Sequence, residues 1–290
     1  MKLASVRIDG VVRLGVIRDD TTVALPEVAD TVDDVVRGGP QALDAVRAHL
    51  ATAAIRPLAE VELDRPLRRF NRDILCTGWN YWEHFEESRG QRAGQDPIER
   101  PRHPTFFTKG PSTVIGPFDV IAYDAGLSLQ WDYEAELALV IGKDGRDLAE
   151  KEALEHVFGY CVANDVSLRD VQRAHGGQWL KGKSIDGTMP LGPWITTADE
   201  VGDPALLRVQ CEVNGRLLQD APTELMAFSI PRLLSELSRG MTLHAGDVVL
   251  TGTPAGIGSA RSPQLFLRPG DLVTTRVSRV GELRNRVAPG

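Results

Sequence analysis

The sequence WDYEAELALVI, residues 131–141, alternates as a β-strand does. Successive side chains of a strand point to opposite faces, so its large apolar residues share one face. The other face carries Asp132, Glu134 and Glu136 at one end and small apolar residues at the other. This pattern predicts a strand whose acidic end enters the core. Two carboxylates at i and i+2 near a buried end repel each other, and a hard cation such as Mg²⁺ would relieve that repulsion.

A half-exposed strand with a solvated acidic face also explains this stretch. Taken alone, the stretch favours that simpler interpretation, because charged side chains are mostly exposed. The choice between the two depends on whether other parts of the chain supply groups that belong in a metal site.

Composition excludes several classes of function. The 290 residues have a net charge of −7 without a basic stripe, which argues against nucleic acid as a partner. Cys76, Cys161 and Cys211 lie far apart and form no CxxC motif, which predicts a reducing cytoplasm and no structural zinc. The N-terminus lacks the apolar core of a signal peptide, and no apolar run approaches membrane-spanning length. We therefore expect a cytoplasmic protein without a membrane partner.

The pattern of predicted strands and helices divides the chain into two parts. Residues 1–70 are predicted to form a small N-terminal α+β accessory domain: strands at 3–8, 11–17 and 22–25, two helices separated at Gly38-Gly39, and a linker over 54–72. Residues 71–290 are predicted to form the catalytic domain, with many short strands and helices only at 81–87, 149–157, 168–174 and 229–238. The expected fold class is mostly β with α (α+β), rolled or barrel-like.

The first catalytic candidates follow the first strand of the larger part. His84 and Glu87 are three residues apart, so they share a face of a helical turn. A carboxylate on one ring nitrogen strengthens imidazole as a base, although an ordinary surface helix end gives the same spacing. The polar loop 88–103 is either a lid that excludes water or a mobile surface loop.

Further candidates lie at strand ends. Lys109 ends a predicted strand and either points into the same cavity or is exposed. Asp165 follows an apolar strand and is the candidate third metal carboxylate, or else an ordinary capping residue. Arg169 and Gln172 share a helix face, which suits a substrate carboxylate but is also typical of a solvated helix.

The run 177–184 matches the phosphate-loop pattern of glycine, four residues and Gly-Lys-Ser. That motif needs a strand before it and a helix after it. Here a helical pattern precedes, and residues 185–193 are incompatible with a helix, so we reject nucleotide binding. Lys183 is kept as a lysine aimed at an active site. In the glycine-rich run 251–258, Thr253 either donates to a substrate oxygen or belongs to a plain turn.

Seven spaced motifs occur in order along the chain. They are Gly78-x-Asn80-Tyr81-x-x-His84-x-x-Glu87, Pro104-x-x-Phe107-x-Lys109, Glu134-x-Glu136, Asn164-Asp165-Val166-Ser167-x-Arg169-Asp170, Gly182-Lys183-Ser184-x-Asp186, Thr251-Gly252-Thr253-Pro254-x-Gly256 and Pro269-Gly270-Asp271. In this order they resemble the fumarylacetoacetate hydrolase family over residues 70–287.

The resemblance implies a fold, a cofactor and roles. The fold would be the family's mixed β-sandwich roll, usually in a homodimer. Glu134, Glu136 and Asp165 would bind Mg²⁺ or Mn²⁺. His84 and Glu87 would be the water-activating dyad, with Lys183 as the third catalytic residue. The substrate, a small 2-oxo acid, would be bound by Lys109, Arg169, Gln172, Thr253 and Tyr81.

One departure narrows the expected reaction. Enzymes that cleave fumarylacetoacetate have a further metal-binding aspartate seven residues before the histidine, where this chain has Thr77. The chain is therefore more similar to the family's acylpyruvate hydrolase, oxaloacetate decarboxylase and hydroxyheptadienedioate isomerase branch. We expect C–C hydrolysis of a 2,4-dioxo acid, such as fumarylpyruvate from aromatic catabolism, through a metal-bound pyruvate enolate. The alternatives are oxaloacetate-type decarboxylation, isomerisation of 2-hydroxyhepta-2,4-diene-1,7-dioate and, more remotely, non-catalytic binding of an oxo acid.

Overall fold

The computed structural model of the protein describes residues 1–90 and 96–290. Its strands are β1 (Lys2–Ile8), β2 (Val11–Ile17), β3 (Thr22–Leu25), β4 (Ala54–Pro57), β5 (Glu62–Asp64), β6 (Ile74–Gly78), β7 (Thr105–Lys109), β8 (Val114–Ile115), β9 (Ile121–Tyr123), β10 (Trp131–Asp132), β11 (Ala135–Ile141), β12 (Val157–Asn164), β13 (Ser167–Leu168), β14 (Met189–Thr197), β15 (Arg208–Val213), β16 (Arg216–Pro222), β17 (Val248–Leu250), β18 (Leu272–Val277) and β19 (Gly281–Pro289). Its helices are α1 (Val32–His49), α2 (Trp82–Ser88), α3 (Glu150–Ala153), α4 (Arg169–Ala174), α5 (Leu180–Lys183), α6 (Ala198–Val201) and α7 (Ile230–Ser238). The predicted class, mostly β with α, is confirmed.

The larger sheet extends across the molecule. Its strands lie in the order β4-β3-β2-β1-β14-β12-β11-β17-β6-β7, with β5 beside β1 and β8 beside β14. Every residue of β11 and β12 is buried. These two strands therefore occupy the middle of the fold, covered on both faces.

A second sheet, in the order β16-β15-β18-β19-β9, packs against one face of the larger sheet. The alternation of β11 determines which residues meet it. Leu137, Leu139 and Ile141 join the core shared by the two sheets. Ala138 and Val140 point the other way, into a second core that includes residues of α1. The predicted two-faced pattern of this strand is therefore confirmed.

The strand predicted over 131–141 is interrupted at Tyr133-Glu134, which corrects its length. Residues before the break form β10, which pairs with β13, and those after it form β11. At the break the N–H of Glu134 donates to the side-chain Oδ1 of Asn164 at 3.0 Å, in place of a strand partner. Asp132, Glu134 and Glu136 are 0%, 4% and 1% exposed, so the acidic end is in the core and the solvated alternative is wrong.

The N-terminal part has the predicted hairpin, and its two predicted helices form one kinked helix, α1. Asp9 and Gly10 both have positive φ, as a two-residue hairpin turn requires. Thr31 and Asp34 form a reciprocal cap at the start of α1, and Gly39 adopts φ 63° where the helix kinks before Pro40. The two predicted helices therefore lie on either side of the kink in α1.

The larger sheet crosses the boundary predicted at residue 70. Leu3 of β1 pairs with Ile195 of β14. The predicted linker contains β4 and β5, and Asp33 of α1 accepts the N–H groups of Arg68 and Arg69, both at 3.0 Å. These hydrogen bonds hold the segment against the rest of the protein. The division into domains at residue 70 stays a prediction.

Helix boundaries differ from expectation in two places. The helix predicted over 149–157 ends at Ala153, continues as a 3₁₀ turn over Leu154–His156, and gives way to β12. The short helices α5 and α6 were not predicted, because four residues carry too little periodicity. Of the predicted lid loop 88–103, residues 91–95 lie outside the described residues. No helix among the described residues is long and apolar enough to cross a membrane.

Candidate active site

Three acidic side chains from two strand ends converge in the core. Glu134 and Glu136 flank the start of β11, and Asp165 follows the end of β12. The antiparallel register pairs Ala135 with Asn164, and the N–H of Asp165 donates to the carbonyl of Glu134 at 2.9 Å. One oxygen of each carboxylate lies within 4.8 Å of the other two. Sheet register therefore brings together the acids that were predicted to bind a metal.

Three buried cations surround these acids. Lys183 Nζ lies 2.7 Å from both Glu134 Oε2 and Asp165 Oδ2. Lys109 Nζ lies 2.8 Å from Asp165 Oδ1. Arg169 Nη2 lies 2.6 Å from Glu134 Oε1. Charged groups at this depth persist only when they are paired.

The cations compensate the acids unequally. Burial favours the neutral form of Glu134, but Lys183 and Arg169 outweigh burial and hold its pKa well below its usual range. For Glu136, burial and the charges of Asp165 and Glu134 hold the pKa well above its usual range. Glu136 does accept the N–H of Gly252 on Oε2, at 2.6 Å. The repulsion within the cluster is therefore concentrated on Glu136.

This donor set fits a hard divalent cation. It consists of carboxylate oxygens alone, the ligands that Mg²⁺ and Mn²⁺ prefer. When all four buried carboxylates, Asp132 included, are ionised, they face the three cations Lys109, Arg169 and Lys183, which leaves one negative charge. A divalent ion placed between the three acids would relieve the repulsion on Glu136.

We expect the affinity for Mn²⁺ to rise with pH. A raised pKa means that the folded, metal-free protein holds the Glu136 proton tightly, and a bound cation must displace that proton. Below that pKa the affinity should increase by up to about tenfold per pH unit, with one proton released per ion. Calorimetric titrations of metal-stripped protein at several pH values, in buffers of different ionisation enthalpy, measure both quantities. A pH-independent affinity without proton release would contradict this assignment.

His84 and Glu87 form the predicted pair on α2. His84 Nδ1 lies 2.9 Å from Glu87 Oε1, and Glu87 Oε2 accepts the N–H of Gly256 at 2.8 Å. An ionised carboxylate only accepts hydrogen bonds, so Nδ1 is the donor, and in the neutral imidazole the lone pair is on Nε2. Glu87 thus orients the imidazole and ties α2 to the glycine-rich loop after β17.

A cavity of about 40 Å³ joins Glu134 and Glu136 to this histidine. The volume is several times the roughly 10–15 Å³ that one water needs, so the site suits a compact ligand. Its walls combine charged, polar and aromatic side chains. They are Thr77, Gly78, Trp79, His84, Ser88, Phe107, Glu134, Glu136, Arg169, Gln172, Arg173, Trp179, Lys183, Thr253, Ile257 and Ser259.

Aromatic rings close one side of the cavity. Trp179 meets Trp79 edge-on at 4.7 Å between ring centroids and Phe107 at 5.0 Å. Lys183 Nζ lies 5.1 Å from the centroid of the Phe107 ring. A Cβ on Gly78 would lie 2.4 Å from the Trp179 ring, so only glycine allows the ring this position. The rings place apolar surface beside the charged cluster, and electrostatic interactions are stronger in such surroundings.

Not every predicted substrate contact lines the cavity. Lys109 is completely buried behind Asp165 and donates to the carbonyl of Val166 at 3.1 Å. Tyr81 is also buried away from the cavity walls. Thr253 lines the cavity, but its hydroxyl donates to the carbonyl of Ala135 at 2.9 Å. The substrate roles of these three residues stay predictions, whereas Arg169, Gln172 and Lys183 lie at the cavity as expected.

Asp132 was placed on the acidic face without a role. It is completely buried and accepts hydrogen bonds from Arg169 Nε at 2.8 Å and from the N–H groups of Gly258 and Ser259 at 2.7 and 3.0 Å. It therefore positions Arg169 and attaches the loop after β17 to β10. Its alternation with Glu134 and Glu136 was the signal that could have revealed it.

Replacing Asp132 with asparagine should lower the free energy of unfolding by about 3–5 kcal/mol, because the buried Arg169 loses a charged partner. Asp33→Asn is the matched control. Asp33 is equally buried, accepts backbone N–H groups, and has no ion pair among the described residues, so its loss should stay near 1–3 kcal/mol. Urea unfolding measures both values. Equal losses of unfolding free energy in the two variants would show that the Asp132–Arg169 ion pair adds nothing to the cost of removing a buried carboxylate.

Residues 73–288 match the family described as "Fumarylacetoacetate (FAA) hydrolase C-terminal". The chain belongs to the fumarylacetoacetate hydrolase family. Its relatives are enzymes, and this chain is an enzyme of the same family. Oxaloacetate tautomerase YisK of Bacillus subtilis is 42% identical over 230 residues, 79% of this chain and 74% of that protein.

Two solved structures of the family cover this chain completely and are covered completely by it. Fumarylacetoacetate hydrolase EaFAH from Exiguobacterium antarcticum is 40% identical, with a TM-score of 0.86. Maleylpyruvate hydrolase from Sphingobium sp. SYK-6, in complex with manganese(II) and pyruvate, is 32% identical, with a TM-score of 0.79. The family assignment made from the seven motifs is therefore confirmed.

Proposed function

We propose that this enzyme binds Mg²⁺ or Mn²⁺ between Glu134, Glu136 and Asp165 and enolises a compact 2-oxo acid. Its main reaction is the tautomerisation of oxaloacetate. The observation that carries this proposal is the convergence of the three carboxylates, two of which, Glu134 and Glu136, line one small cavity with His84. When bound, such a cation polarises a carbonyl oxygen as a Lewis acid.

The charges of the cavity support an anionic substrate. The four buried carboxylates and the three buried cations leave about one negative charge when all are ionised. A bound divalent cation therefore gives the site a net positive charge. Arg169 and Lys183 stand at the cavity wall and place positive charge beside the site of a bound carboxylate. Gln172 Oε1 accepts from Arg169 Nη1 at 3.3 Å and helps to orient that guanidinium.

His84 supplies the proton transfer. Enolisation takes a proton from carbon 3 and places a proton on the 2-oxo oxygen. The lone pair on His84 Nε2, maintained by the bond from Nδ1 to Glu87, suits the first of these steps. The rings of Trp79, Phe107 and Trp179 line this part of the cavity with apolar surface, which limits the access of water to the reacting carbon.

Tautomerisation of oxaloacetate makes smaller demands on the cavity than hydrolysis does. It requires neither a water molecule nor space for a leaving acyl group. The oxaloacetate tautomerase named among the relatives supports the same choice. This ranking departs from the hydrolysis favoured by the sequence motifs.

C–C hydrolysis of an acylpyruvate is the second candidate. The His84–Glu87 pair suits activation of water, and the manganese-bound relative is named as a maleylpyruvate hydrolase. Both substrates carry an enolisable 2-oxo acid group, so the proposed metal-binding carboxylates suit either reaction. The homodimer, the cytoplasmic location and a role in aromatic catabolism stay predictions.

Parallel assays on the Mg²⁺- and Mn²⁺-loaded enzyme decide between the reactions. Loss of the ultraviolet absorbance of enol-oxaloacetate, corrected for the buffer rate, reports tautomerisation. Pyruvate release from oxaloacetate and from fumarylpyruvate reports decarboxylation and hydrolysis, and the spectrum of 2-hydroxyhepta-2,4-diene-1,7-dioate reports isomerisation. We expect the highest kcat/KM for tautomerisation. A higher value for fumarylpyruvate would put hydrolysis first, and no turnover of any compound would reject the proposal.

A further inference from the structure

One wall of the cavity combines two arginines of α4. Arg169 and Arg173 are four residues apart, so their side chains leave the same helix face, and both line the cavity. Burial lowers the pKa of Arg173, and the charge of Arg169 lowers it further. Two cationic side chains on one helix face make the potential at this wall more positive, which favours an anion there.

The two arginines differ in their surroundings. Arg169 is 6% exposed and is fixed by Asp132 and Glu134. Arg173 is only half-buried and lies one turn farther along α4, where Asp132, Asp96 and Asp170 act on its charge. Its guanidinium can therefore exchange a neighbour for an incoming carboxylate more readily than that of Arg169.

Ser259 adds a hydroxyl to this wall. It is 3% exposed and lines the cavity, and its Oγ has no hydrogen-bond partner in the part of the chain that the structure describes. Its backbone is fixed, because its N–H donates to Asp132 Oδ2 and its carbonyl accepts from Gln264 Nε2 at 2.9 Å. Buried hydroxyls rarely remain unpaired, so this one is available to a ligand.

We propose that Arg173 and Ser259 form a subsite for the distal carboxylate of the substrate. The enzyme therefore selects 2-oxo dicarboxylic acids over 2-oxo monocarboxylic acids. This inference rests on the proposed function, since it assumes that the other end of the acid lies at the carboxylate cluster. Arg169 connects the carboxylate cluster to this subsite. It contacts Glu134 of the cluster, and it also contacts Asp132, which accepts the N–H of Ser259.

L-malate and L-lactate test the subsite, because they share the 2-hydroxy acid group and differ by one carboxylate. Their dissociation constants are measured on Mg²⁺-loaded protein from the fluorescence of Trp79 and Trp179, which line the cavity. We expect the wild type to prefer malate. Arg173→Gln should weaken malate binding by about tenfold or more and leave lactate binding unchanged.

Ser259→Ala should weaken malate binding by about fivefold. The melting temperature of this variant should not fall below that of the wild type, because the Ser259 hydroxyl has no hydrogen-bond partner among the described residues. Arg146→Gln is the matched control, since Arg146 is exposed, pairs with its neighbour Asp147, and should affect neither acid.

The subsite is wrong if the wild type binds malate and lactate equally, or binds neither. It is also wrong if Arg173→Gln weakens the binding of both acids equally, or if the variants bind malate as tightly as the wild type does. A separate outcome concerns the reaction. If the wild type prefers malate and the variants behave as expected, but oxaloacetate is not converted, the subsite stands and the proposed tautomerisation fails.

Discussion

Replacing Glu136 with glutamine should abolish turnover and leave the metal-free protein folded. The change removes one of three cation ligands, and we expect Mn²⁺ affinity to fall by more than about 100-fold. The same change removes the carboxylate on which the repulsion from Glu134 and Asp165 is concentrated. The amide can still accept the N–H of Gly252, so the metal-free variant should be more stable than the wild type by about 1 kcal/mol.

Calorimetric titration with Mn²⁺ and urea unfolding of the metal-stripped proteins measure these two opposite effects. Glu155→Gln, the same change at an exposed glutamate, should alter neither. A residue that only supports the fold would destabilise the protein when replaced. Full turnover by Glu136→Gln in metal-free buffer would eliminate the metal mechanism.

Replacing His84 with alanine should lower kcat by about 10²–10⁴-fold, the usual contribution of a positioned general base. Mn²⁺ affinity should remain unchanged, because His84 does not belong to the carboxylate cluster. Glu87→Gln should cause a smaller loss, since glutamine keeps an acceptor for His84 Nδ1 but loses the charge that strengthens the imidazole.

Initial rates of oxaloacetate tautomerisation at saturating Mn²⁺ measure this loss. Glu83→Gln supplies the control, because Glu83 is exposed on the same helix and should tolerate the change. If His84→Ala retains more than half of the wild-type kcat, another group moves the proton and the role given to the dyad is wrong.

Much of the β architecture was predictable from residues close in sequence. The alternation over 131–141 correctly assigned Leu137 and Leu139 to one core and Ala138 and Val140 to another. Turn chemistry located the hairpin at Asp9-Gly10. These predictions succeed because side-chain direction and turn dihedrals are properties of the local backbone.

The break at Tyr133-Glu134 was not predictable in this way. It depends on the Asn164 side chain, which accepts a hydrogen bond from the backbone of Glu134. The two residues are separated by 30 positions, and the alternating pattern continues through the break without a change. A side chain from another strand thus decided where β11 begins.

In the candidate site, too, some features were predictable from the sequence and others were not. The sequence alone determined which residues carry useful chemistry: the alternating acids, the His84–Glu87 pair set by helical spacing, and the order of motifs typical of the family. Only the tertiary structure decided that Asp165 meets Glu134, that Lys109 lies behind it, that Asp132 holds Arg169, and that the cavity is small. Strand register and packing between distant segments determine those distances, and neither is encoded in local periodicity.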